Sequence, residues 1–270
     1  MLSRVRPEIF RWRQALRRSA AVRPRARFAW REITRRAGLE RYDLRCCGLA
    51  LHVRHGTGDV AGVEEVFVHG NYDPPAPVAA LLARLAAERP LKAVDVGANI
   101  GLFCLALFAR FPDAHVVCFE PDSSNAAILE RTRQANGRQA TWQLVEACAG
   151  AKAAAVAFRG GEYMESRIAL AGEAGTVTVQ QVDVFEHLHA IDWLKIDAEG
   201  AEWAIVSDPR FAALEIPVIS LEYHPLLCPS ENPTATIVRL LGDAGYRITP
   251  HVERQAGLGE LWAWREPRIS

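Results

Sequence analysis

The sequence predicts a doubly wound α/β fold, in which a seven-stranded, mostly parallel sheet ends in an antiparallel hairpin and follows a basic helical extension. Three observations carry this prediction. Short apolar runs typical of buried strands alternate with helical patterns from residue 76 onward. A glycine-containing turn separates the first of these strands from its helix. The last two strand patterns, 246–252 and 260–264, follow each other without a helix between them, as expected of an antiparallel pair.

The composition indicates one full-sized domain. The chain has 270 residues, 50% of them hydrophobic, which is enough for one core and a small appendage. No apolar run approaches the about 18 residues of a membrane-spanning helix, and the N-terminus lacks the apolar region of a secretory signal. The six cysteines form no Cys-x-x-Cys pair, so we expect reduced thiols, no zinc site and a cytoplasmic location.

The charge is unevenly distributed. Residues 1–45 carry 14 arginines and 4 acidic residues, a net charge of +10, whereas the remainder carries 18 basic and 28 acidic residues, a net charge of −10. We therefore predict an arginine-rich helical extension at 1–45 and a folded domain at 46–270. Within this domain we expect a leading segment at 46–75 and an α/β core at 76–270.

Two short helices are expected in the extension. The first carries an apolar stripe at helical spacing, formed by Val5, Ile9, Trp12 and Leu16. A second basic helical pattern covers 28–36. Such a helix can bind an anionic surface of lipid, glycan carrier or nucleic acid. Alternatively, the stripe docks on its own domain or on a partner subunit, which is the interpretation that we favour.

The leading segment predicts two strands before the first core helix. Residues 49–53 alternate as a strand does, and residues 65–69 are a candidate partner strand. Residues 54–59 between them have the composition of a loop. Residues 77–88 then form an amphipathic helix directly before the first strand of the α/β core.

The beginning of the core predicts a nucleoside-binding unit. A strand at 91–96 leads through the turn 97–101 (Gly-Ala-Asn-Ile-Gly) into an apolar helix, and the next strand, 115–119, ends at Glu120. Glycines at this junction let the backbone turn sharply and let a ligand approach closely. A carboxylate at the tip of the next strand, about 20 residues on, is placed to bind ribose hydroxyls.

The composition of this turn distinguishes two cofactors. The dinucleotide fingerprint Gly-x-Gly-x-x-Gly needs a glycine where Asn99 stands, and Asp95 so close to the turn would repel a diphosphate. An acidic residue there suits the ammonium and sulfonium of S-adenosylmethionine, which we therefore favour over NAD. The expected cofactor contacts are Asp95, Gly97, Ala98, Asn99, Gly101, Glu120, Pro121 and, as an adenine-edge contact on the next strand, Glu146.

The rest of the core continues the alternation. The third, fourth and fifth core strands are expected at 142–148, 193–197 and 217–223, with an antiparallel excursion at 153–182. A capped helix beginning at Asn232 precedes the terminal strand pair. A seven-stranded sheet closed by an antiparallel hairpin is what class I, Rossmann-like methyltransferases show, whereas dinucleotide-binding folds commonly lack it.

Three motifs resemble the FkbM family of methyltransferases: VDVGANIG at 94–101, FEP at 119–121 and LKIDAEGAE at 194–202. Many methyltransferases share the first, whereas Lys-Ile-Asp-x-Glu-Gly-x-Glu is far more specific. Residues 54–59 and Tyr72 are also similar to the family's N-terminal segment, although Gly58 stands where serine is more usual. Over 50–250 the resemblance implies a class I fold, S-adenosylmethionine as donor and O-methylation of sugar or polyketide hydroxyls, without fixing the acceptor.

Acidic residues and a histidine follow two of the later core strands. Methyl transfer from a sulfonium is an in-line displacement, and an alcohol acceptor needs a general base within hydrogen-bond reach. Asp197 and Glu199 terminate the fourth strand, and His224 terminates the fifth. We predict that Asp197 or His224 is the base and that Glu199 orients the acceptor. Lys195, on the same face of its strand, is expected to pair with one of the two acids.

Other chemistries are less favoured. The eight histidines form no His-x-x-x-His or His-x-His set except His187 and His189. That pair would not share a helical face, so we expect metal-independent transfer. The extension could serve an RNA-binding protein or RNA methyltransferase, but arginines alone bind without sequence preference and the acidic body argues against it. The turn disfavours an NAD-dependent dehydrogenase. The expected partner is a small-molecule or glycan acceptor, lipid-linked or polyketide-type acceptors included.

Overall fold

The computed structural model describes residues 7–160, 166–169, 173–249, 252–255 and 258–267. Its helices are α1 (Pro7–Arg18), α2 (Arg25–Thr34), α3 (Asp59–Phe67), α4 (Ala76–Glu88), α5 (Leu102–Arg110), α6 (Ser123–Ala135), α7 (Glu202–Val206), α8 (Pro209–Ala213) and α9 (Pro233–Asp243). Its strands are β1 (Val22–Arg23), β2 (Gly38–Leu44), β3 (Ala50–His55), β4 (Lys92–Val96), β5 (His115–Phe119), β6 (Trp142–Val145), β7 (Cys148–Gly150), β8 (Ala154–Arg159), β9 (Arg167–Ile168), β10 (Val177–Asp183), β11 (Trp193–Ile196), β12 (Val218–Tyr223), β13 (Arg247–Ile248), β14 (Val252–Gln255) and β15 (Leu258–Trp264). Parts of the predicted segments 153–182 and 246–252 lie outside the described residues.

The central sheet follows the strand order β13-β15-β12-β11-β4-β5-β6, with β14 also pairing with β15. The pairs from β12 to β6 are all parallel, and β15 runs antiparallel to β12 and β13. This topology confirms the predicted α/β class with a mostly parallel sheet. The carboxyl ends of β4, β5, β11 and β12 therefore meet at one edge, where ligands bind in such folds.

Side chains of the sheet alternate between two apolar clusters. In β11, Trp193 packs in the cluster that includes residues of α4 and α5, whereas Leu194 and Ile196 pack in the cluster that includes residues of α7 and α9. The Trp193 ring meets Phe103 edge to face, with centroids 5.0 Å apart. Because successive side chains of a strand point to opposite faces, helices cover both sides of the sheet.

Two smaller sheets accompany the central one. The first has the order β1-β2-β3, so the boundary predicted between residues 45 and 46 lies between two paired strands. Val22 and Phe28, from the arginine-rich extension, are fully buried in the same cluster as Leu51 and Val53. The second has the order β7-β10-β8-β9 and forms one wall above the edge of the central sheet.

The structure corrects two sequence predictions about strands. Residues 65–69 are not the partner strand of β3, because α3 covers most of this stretch and β3 pairs with β2. The apolar residues Val60, Val63 and Phe67 recur at helical rather than strand spacing, which explains the difference. The single strand predicted at 142–148 is divided into β6 and β7, which belong to different sheets.

No helix within the described ranges has both the length and the apolar character needed to cross a membrane.

Candidate active site

A cavity of ≈ 760 Å³ opens at the carboxyl ends of the parallel strands. Its floor is the turn after β4 and the tip of β5, and one side is the loop after β11 together with the end of β12. The β8 and β9 strands and α3 supply the remaining walls. The lining of this cavity includes Gly97, Asn99, Glu120, Asp197, Glu199 and His224.

Gly97 packs directly against the loop that follows β11. Its φ is +79°, and a Cβ at this position would lie 1.8 Å from the carbonyl oxygen of Asp197. No other residue fits there, because a side chain would both strain the backbone and overlap this carbonyl. The N–H groups of Gly97 and Ala98 donate to the Phe119 carbonyl at 3.2 and 2.9 Å, which ties the turn to the tip of β5.

Glu120 is the buried carboxylate of the cavity floor. The Asn99 N–H donates to its Oε2 at 2.7 Å, and the Asp122 N–H donates to its Oε1 at 2.9 Å. The Asn125 side-chain amide donates to Oε1 at 3.4 Å. Burial nevertheless outweighs these hydrogen bonds and raises the pKa of Glu120 to about 7. The carboxylate is therefore held in place by backbone donors while its remaining lone pairs face the cavity lined by this residue.

Asp95 and Lys195 form a buried pair beneath the turn. The Lys195 Nζ lies 3.1 Å from Asp95 Oδ1 and 3.7 Å from Asp197 Oδ2, and it donates to the Gly97 carbonyl at 2.6 Å. Burial disfavours the charge of Lys195, but these carboxylates and Tyr72 raise its pKa above the ordinary value. Lys195 pairs with Asp197 as predicted, and more closely with Asp95. Asp95 is fully buried and does not line the cavity, so it supports the turn from below.

Two other predicted cofactor contacts also lie away from the cavity lining. A Cβ on Gly101 would meet the Trp142 ring at 2.8 Å, so this glycine serves helix–strand packing. Glu146 is exposed and does not line the cavity. Instead, Cys148 and Ala149 line this side, because the strand predicted at 142–148 breaks before them. Pro121, also predicted as a cofactor contact, lines the cavity beside Glu120.

The three predicted catalytic residues converge on one part of the cavity wall. One ligand atom each of Asp197, Glu199 and His224 lies within 4.8 Å of the others. The His224 Nε2 lies 3.3 Å from Glu199 Oε2 and 3.7 Å from Glu222 Oε1. The loop after β11 and the end of β12 thus bring these side chains together, as parallel neighbours should.

Glu202 positions His224 from behind. It is fully buried at the start of α7, and its Oε1 accepts the His224 backbone N–H at 2.7 Å and lies 3.2 Å from Nδ1. Its Oε2 accepts the Gly200 N–H at 2.7 Å. The Trp203 indole donates to the His224 carbonyl at 2.8 Å. These contacts turn Nε2 of the ring toward the carboxylates of the cavity.

The carboxylates around His224 determine its protonation. Burial would lower the pKa of His224, but the hydrogen bond and charge of Glu202 and the charges of Glu199 and Asp197 outweigh burial and raise it to about 9. At neutral pH the ring is therefore an imidazolium, and both of its N–H groups can donate hydrogen bonds to the neighbouring carboxylates. It can accept a proton only as the pH approaches this value.

The same three side chains are a set that could hold a divalent cation. Two carboxylates and an imidazole nitrogen are common metal ligands, and Glu202 on Nδ1 is the kind of outer partner that orients a metal-binding histidine. The sequence predicts no metal site because its histidines lack paired spacing. The fold assembles a mixed set from two separate loops, which spacing along the chain does not reveal.

Sequence reasoning did not identify several residues of the site. Asn125 holds Glu120, and Glu222 lies beside His224. Glu202 belongs to the Lys-Ile-Asp-x-Glu-Gly-x-Glu motif, which does not by itself indicate its contact with His224. Arg159 and Arg167 line the wall formed by the second small sheet. Glu202 has a sequence signal in that motif, and Glu222 has one in its place two residues before His224 on the same predicted strand.

The site geometry agrees with a comparison against known families. The profile of the methyltransferase FkbM domain matches residues 95–248, which is more than half of the chain. This chain belongs to the FkbM methyltransferase family. The match includes the glycine turn, Glu120 and the Asp197–Glu199–His224 cluster. The predicted resemblance is therefore confirmed, and the protein belongs to a family of S-adenosylmethionine-dependent methyltransferases.

Three solved structures have a similar course of the chain, and two of them are named as methyltransferases. The precorrin-6y C5,15-methyltransferase of Geobacter metallireducens has a TM-score of 0.40 at 16% identity, covering 70% of this chain and 87% of that one. A putative O-methyltransferase of Klebsiella pneumoniae has a TM-score of 0.40 at 15% identity, covering 71% and 81%. P. horikoshii TYW2 in complex with MeSAdo has a TM-score of 0.41 at 14% identity, covering 83% of this chain and 69% of that one. These TM-scores lie below 0.5, so the family assignment rests on the profile. No curated protein matches the chain.

Proposed function

We propose that this FkbM-family protein transfers a methyl group from S-adenosylmethionine to a hydroxyl of a polyhydroxylated acceptor, a sugar or polyketide-type molecule. One observation supports this proposal above the others. Glu120 and the Asp197–Glu199–His224 cluster line a single cavity, and the turn at 97–99 contacts both, through Asn99 on one side and Gly97 on the other. This arrangement supports a donor site and an acceptor site that lie next to each other.

The residues of the cavity floor fit an adenosyl cofactor. The volume of ≈ 760 Å³ lies within the range of small-molecule sites. Glu120, fixed by two backbone donors, can accept hydrogen bonds from the two ribose hydroxyls. A carboxylate at this position binds ribose in NAD and S-adenosylmethionine sites alike. The preference for S-adenosylmethionine therefore rests on Asn99 in place of the middle glycine and on the family match. When bound, S-adenosylmethionine supplies an electrophilic methyl group on its sulfonium.

Carboxylates surround the acceptor end of the cavity. Besides Asp197 and Glu199, Glu222 and Glu260 line this end of the cavity. Glu222 on β12 lies opposite Glu260 on β15. Their positions bring two further carboxylates to the same part of the cavity. Several carboxylates accept hydrogen bonds from hydroxyl groups and repel phosphates or uronates. This arrangement supports a neutral, hydroxyl-rich acceptor.

The roles of the cluster follow from its charges. His224 is the proposed base, which removes the acceptor hydroxyl proton at Nε2 once the ring is neutral. Glu202 holds the ring and stabilises the imidazolium that forms. Asp197 and Glu199 accept hydrogen bonds from the acceptor and align its oxygen with the methyl group.

Calorimetry and activity measurements test this proposal together. Purified protein should bind S-adenosylmethionine and not NAD. Asp197→Asn and His224→Ala should each lower turnover at least about hundredfold while donor affinity stays within a fewfold, since neither residue contacts Glu120. Asp243→Asn, an exposed substitution on α9, is the matched control and should change neither quantity.

Mass spectrometry of glycan fractions and cell extracts, incubated with enzyme and methyl-labelled donor, identifies the acceptor. Label on a neutral sugar or polyketide hydroxyl supports the proposal. Label on RNA, or failure of the protein to bind the donor at all, contradicts it.

A further inference from the structure

The apolar stripe of α1 faces away from the domain. Ile9, Phe10, Trp12 and Leu16 are exposed by 48%, 63%, 53% and 53%, although large apolar side chains are normally covered when a helix packs on its own domain. Val5, the first predicted member of the stripe, lies outside the described residues. The favoured expectation named the chain's own domain or a partner subunit as the surface that covers this stripe, and docking on its own domain is wrong for the described members.

The inner side of α1 is instead held by ionic contacts. Arg18 donates from Nε to Glu64 Oε2 at 2.8 Å and from Nη1 to Glu32 Oε2 at 3.2 Å. Arg17 also pairs with Glu64, on α3. Although burial acts to raise the pKa of Glu64, these two arginines lower it overall. Ala15 is the buried apolar residue beneath the helix. These contacts fix the orientation of α1, so the outward stripe belongs to the folded state.

The surroundings of the stripe are strongly basic. Residues 7–36 contain 10 arginines and 2 glutamates, a net charge of +8. No carboxylate of the described residues pairs with Arg13, Arg25 or Arg36, and the Arg36 guanidinium lies 4.9 Å from the Trp30 ring centroid. Trp30 is itself 47% exposed. Unpaired arginines beside exposed tryptophan, leucine and isoleucine are typical of helices that lie in a membrane interface.

We propose that this surface, the α1 face formed by Ile9, Phe10, Trp12, Arg13 and Leu16, docks onto an anionic lipid surface. Anionic lipid headgroups pair with the arginines that have no carboxylate partner, and the boundary between headgroups and acyl chains covers the apolar side chains. The inference is independent of the acceptor and of the methyl-transfer chemistry.

Two other occupants fit less well. A second copy of this chain would place the same basic face against itself in a two-fold dimer, so that like charges meet. A nucleic acid would pair with the arginines and stack on the aromatic rings, but it would leave the aliphatic Ile9 and Leu16 in water. Charge and apolar area together therefore favour lipid.

Flotation of the full chain with vesicles tests the proposal. The protein should float with vesicles of phosphatidylcholine mixed with phosphatidylglycerol, float less as salt rises, and stay unbound with phosphatidylcholine alone. The double variant Trp12→Ser/Leu16→Ser should lose about tenfold or more in partition, because it removes two interfacial anchors. Val238→Ser removes an exposed apolar residue on α9 and should bind as the wild type does.

Sedimentation velocity and a short RNA probe complete the experiment. Unchanged S-adenosylmethionine binding by the double variant shows that its fold is intact. The proposal is overturned if wild-type protein ignores anionic vesicles, or if the double variant and the wild type partition equally. It is also overturned if the wild type is a dimer that Trp12→Ser/Leu16→Ser dissociates, or if RNA competes fully with vesicles in the wild type.

Discussion

The buried Glu202 carboxylate contacts His224 at two points, 2.7 Å from its backbone nitrogen and 3.2 Å from its Nδ1. One carboxylate therefore sets both the position and the protonation of the proposed base. A carboxylate on Nδ1 favours the imidazolium, and this contact contributes to the raised pKa of about 9. The pH dependence of turnover and of stability should therefore reflect the contact between Glu202 and His224.

Turnover should depend on the ionisation of His224. Because the neutral ring is the base, single-turnover rates should rise about tenfold per pH unit and level off near pH 9. Glu202→Gln removes the negative partner and should move this pKa down by about one unit or more. Rates measured from pH 6 to 10 for both proteins check the shift. A profile that is flat above pH 6 would assign the base to Asp197 instead.

Stability should depend on the same ionisation. A histidine whose pKa is about 9 when folded and about 6.5 when unfolded stabilises the fold fully below pH 6.5 and loses this contribution as the pH rises through 9. The contribution is at most about 3 kcal/mol. Urea unfolding at pH 6 and pH 9.5 should therefore show a larger difference for wild type than for His224→Gln. An identical difference in the two proteins would refute the ion pair.

Donor binding should depend on Glu120. Its pKa of about 7 means that acidification protonates it, and the protonated form accepts fewer hydrogen bonds from ribose hydroxyls. S-adenosylmethionine affinity should thus fall about tenfold per pH unit below 7. Glu120→Ala should weaken binding about ten- to hundredfold at pH 8, since a charged hydrogen-bond acceptor is lost. Calorimetry measures both, and the protein with Glu146→Ala, an exposed position between β6 and β7, should bind normally.

Gly97→Ala should destabilise the protein and abolish donor binding. The new Cβ would lie 1.8 Å from the Asp197 carbonyl, in a residue with φ of +79°. Overpacking and the strain of a left-handed backbone conformation together predict that the free energy of unfolding falls by about 2–5 kcal/mol. Gly137→Ala is the matched control, because its φ is +62° and nothing lies within 4 Å of its Cβ. Gly137→Ala should lower the free energy of unfolding by only about 1 kcal/mol, and thermal unfolding of both variants measures the difference. Equal losses in the two variants would mean that the contact with Asp197 is not tight.

Turnover at pH 7.5 should survive treatment with EDTA. A divalent cation at Asp197, Glu199 and His224 would have to displace the proton that holds the His224 ring, and this competition weakens metal binding at neutral pH. Activity assays with EDTA, and then with added Mn²⁺ or Mg²⁺, test this expectation. Loss of activity that Mn²⁺ restores would show that the cluster is a metal centre.

Much of the site was predictable because parallel strands bring their carboxyl ends to one edge. The positions of Gly97, Glu120, Asp197 and His224 all follow from that rule. Asp95 and Glu146 did not fit, because a strand pattern indicates neither which face a residue takes nor where a strand breaks. The orientation of α1 was missed for a related reason. An amphipathic stripe shows that one face is apolar, but the ion pairs of Arg17 and Arg18 decide which face turns inward.

The ammonium of Lys195 contacts carbonyls at the end of β4 and carboxylates on both sides of them. The floor for the donor and the loop that carries the proposed acceptor groups are thus fastened at one charged point. A substitution that moves Lys195 or its partners would therefore change the donor site together with the acceptor groups. Diversification should instead concentrate in the β8–β9 wall and the tip of β15, which touch the cavity but not this lysine.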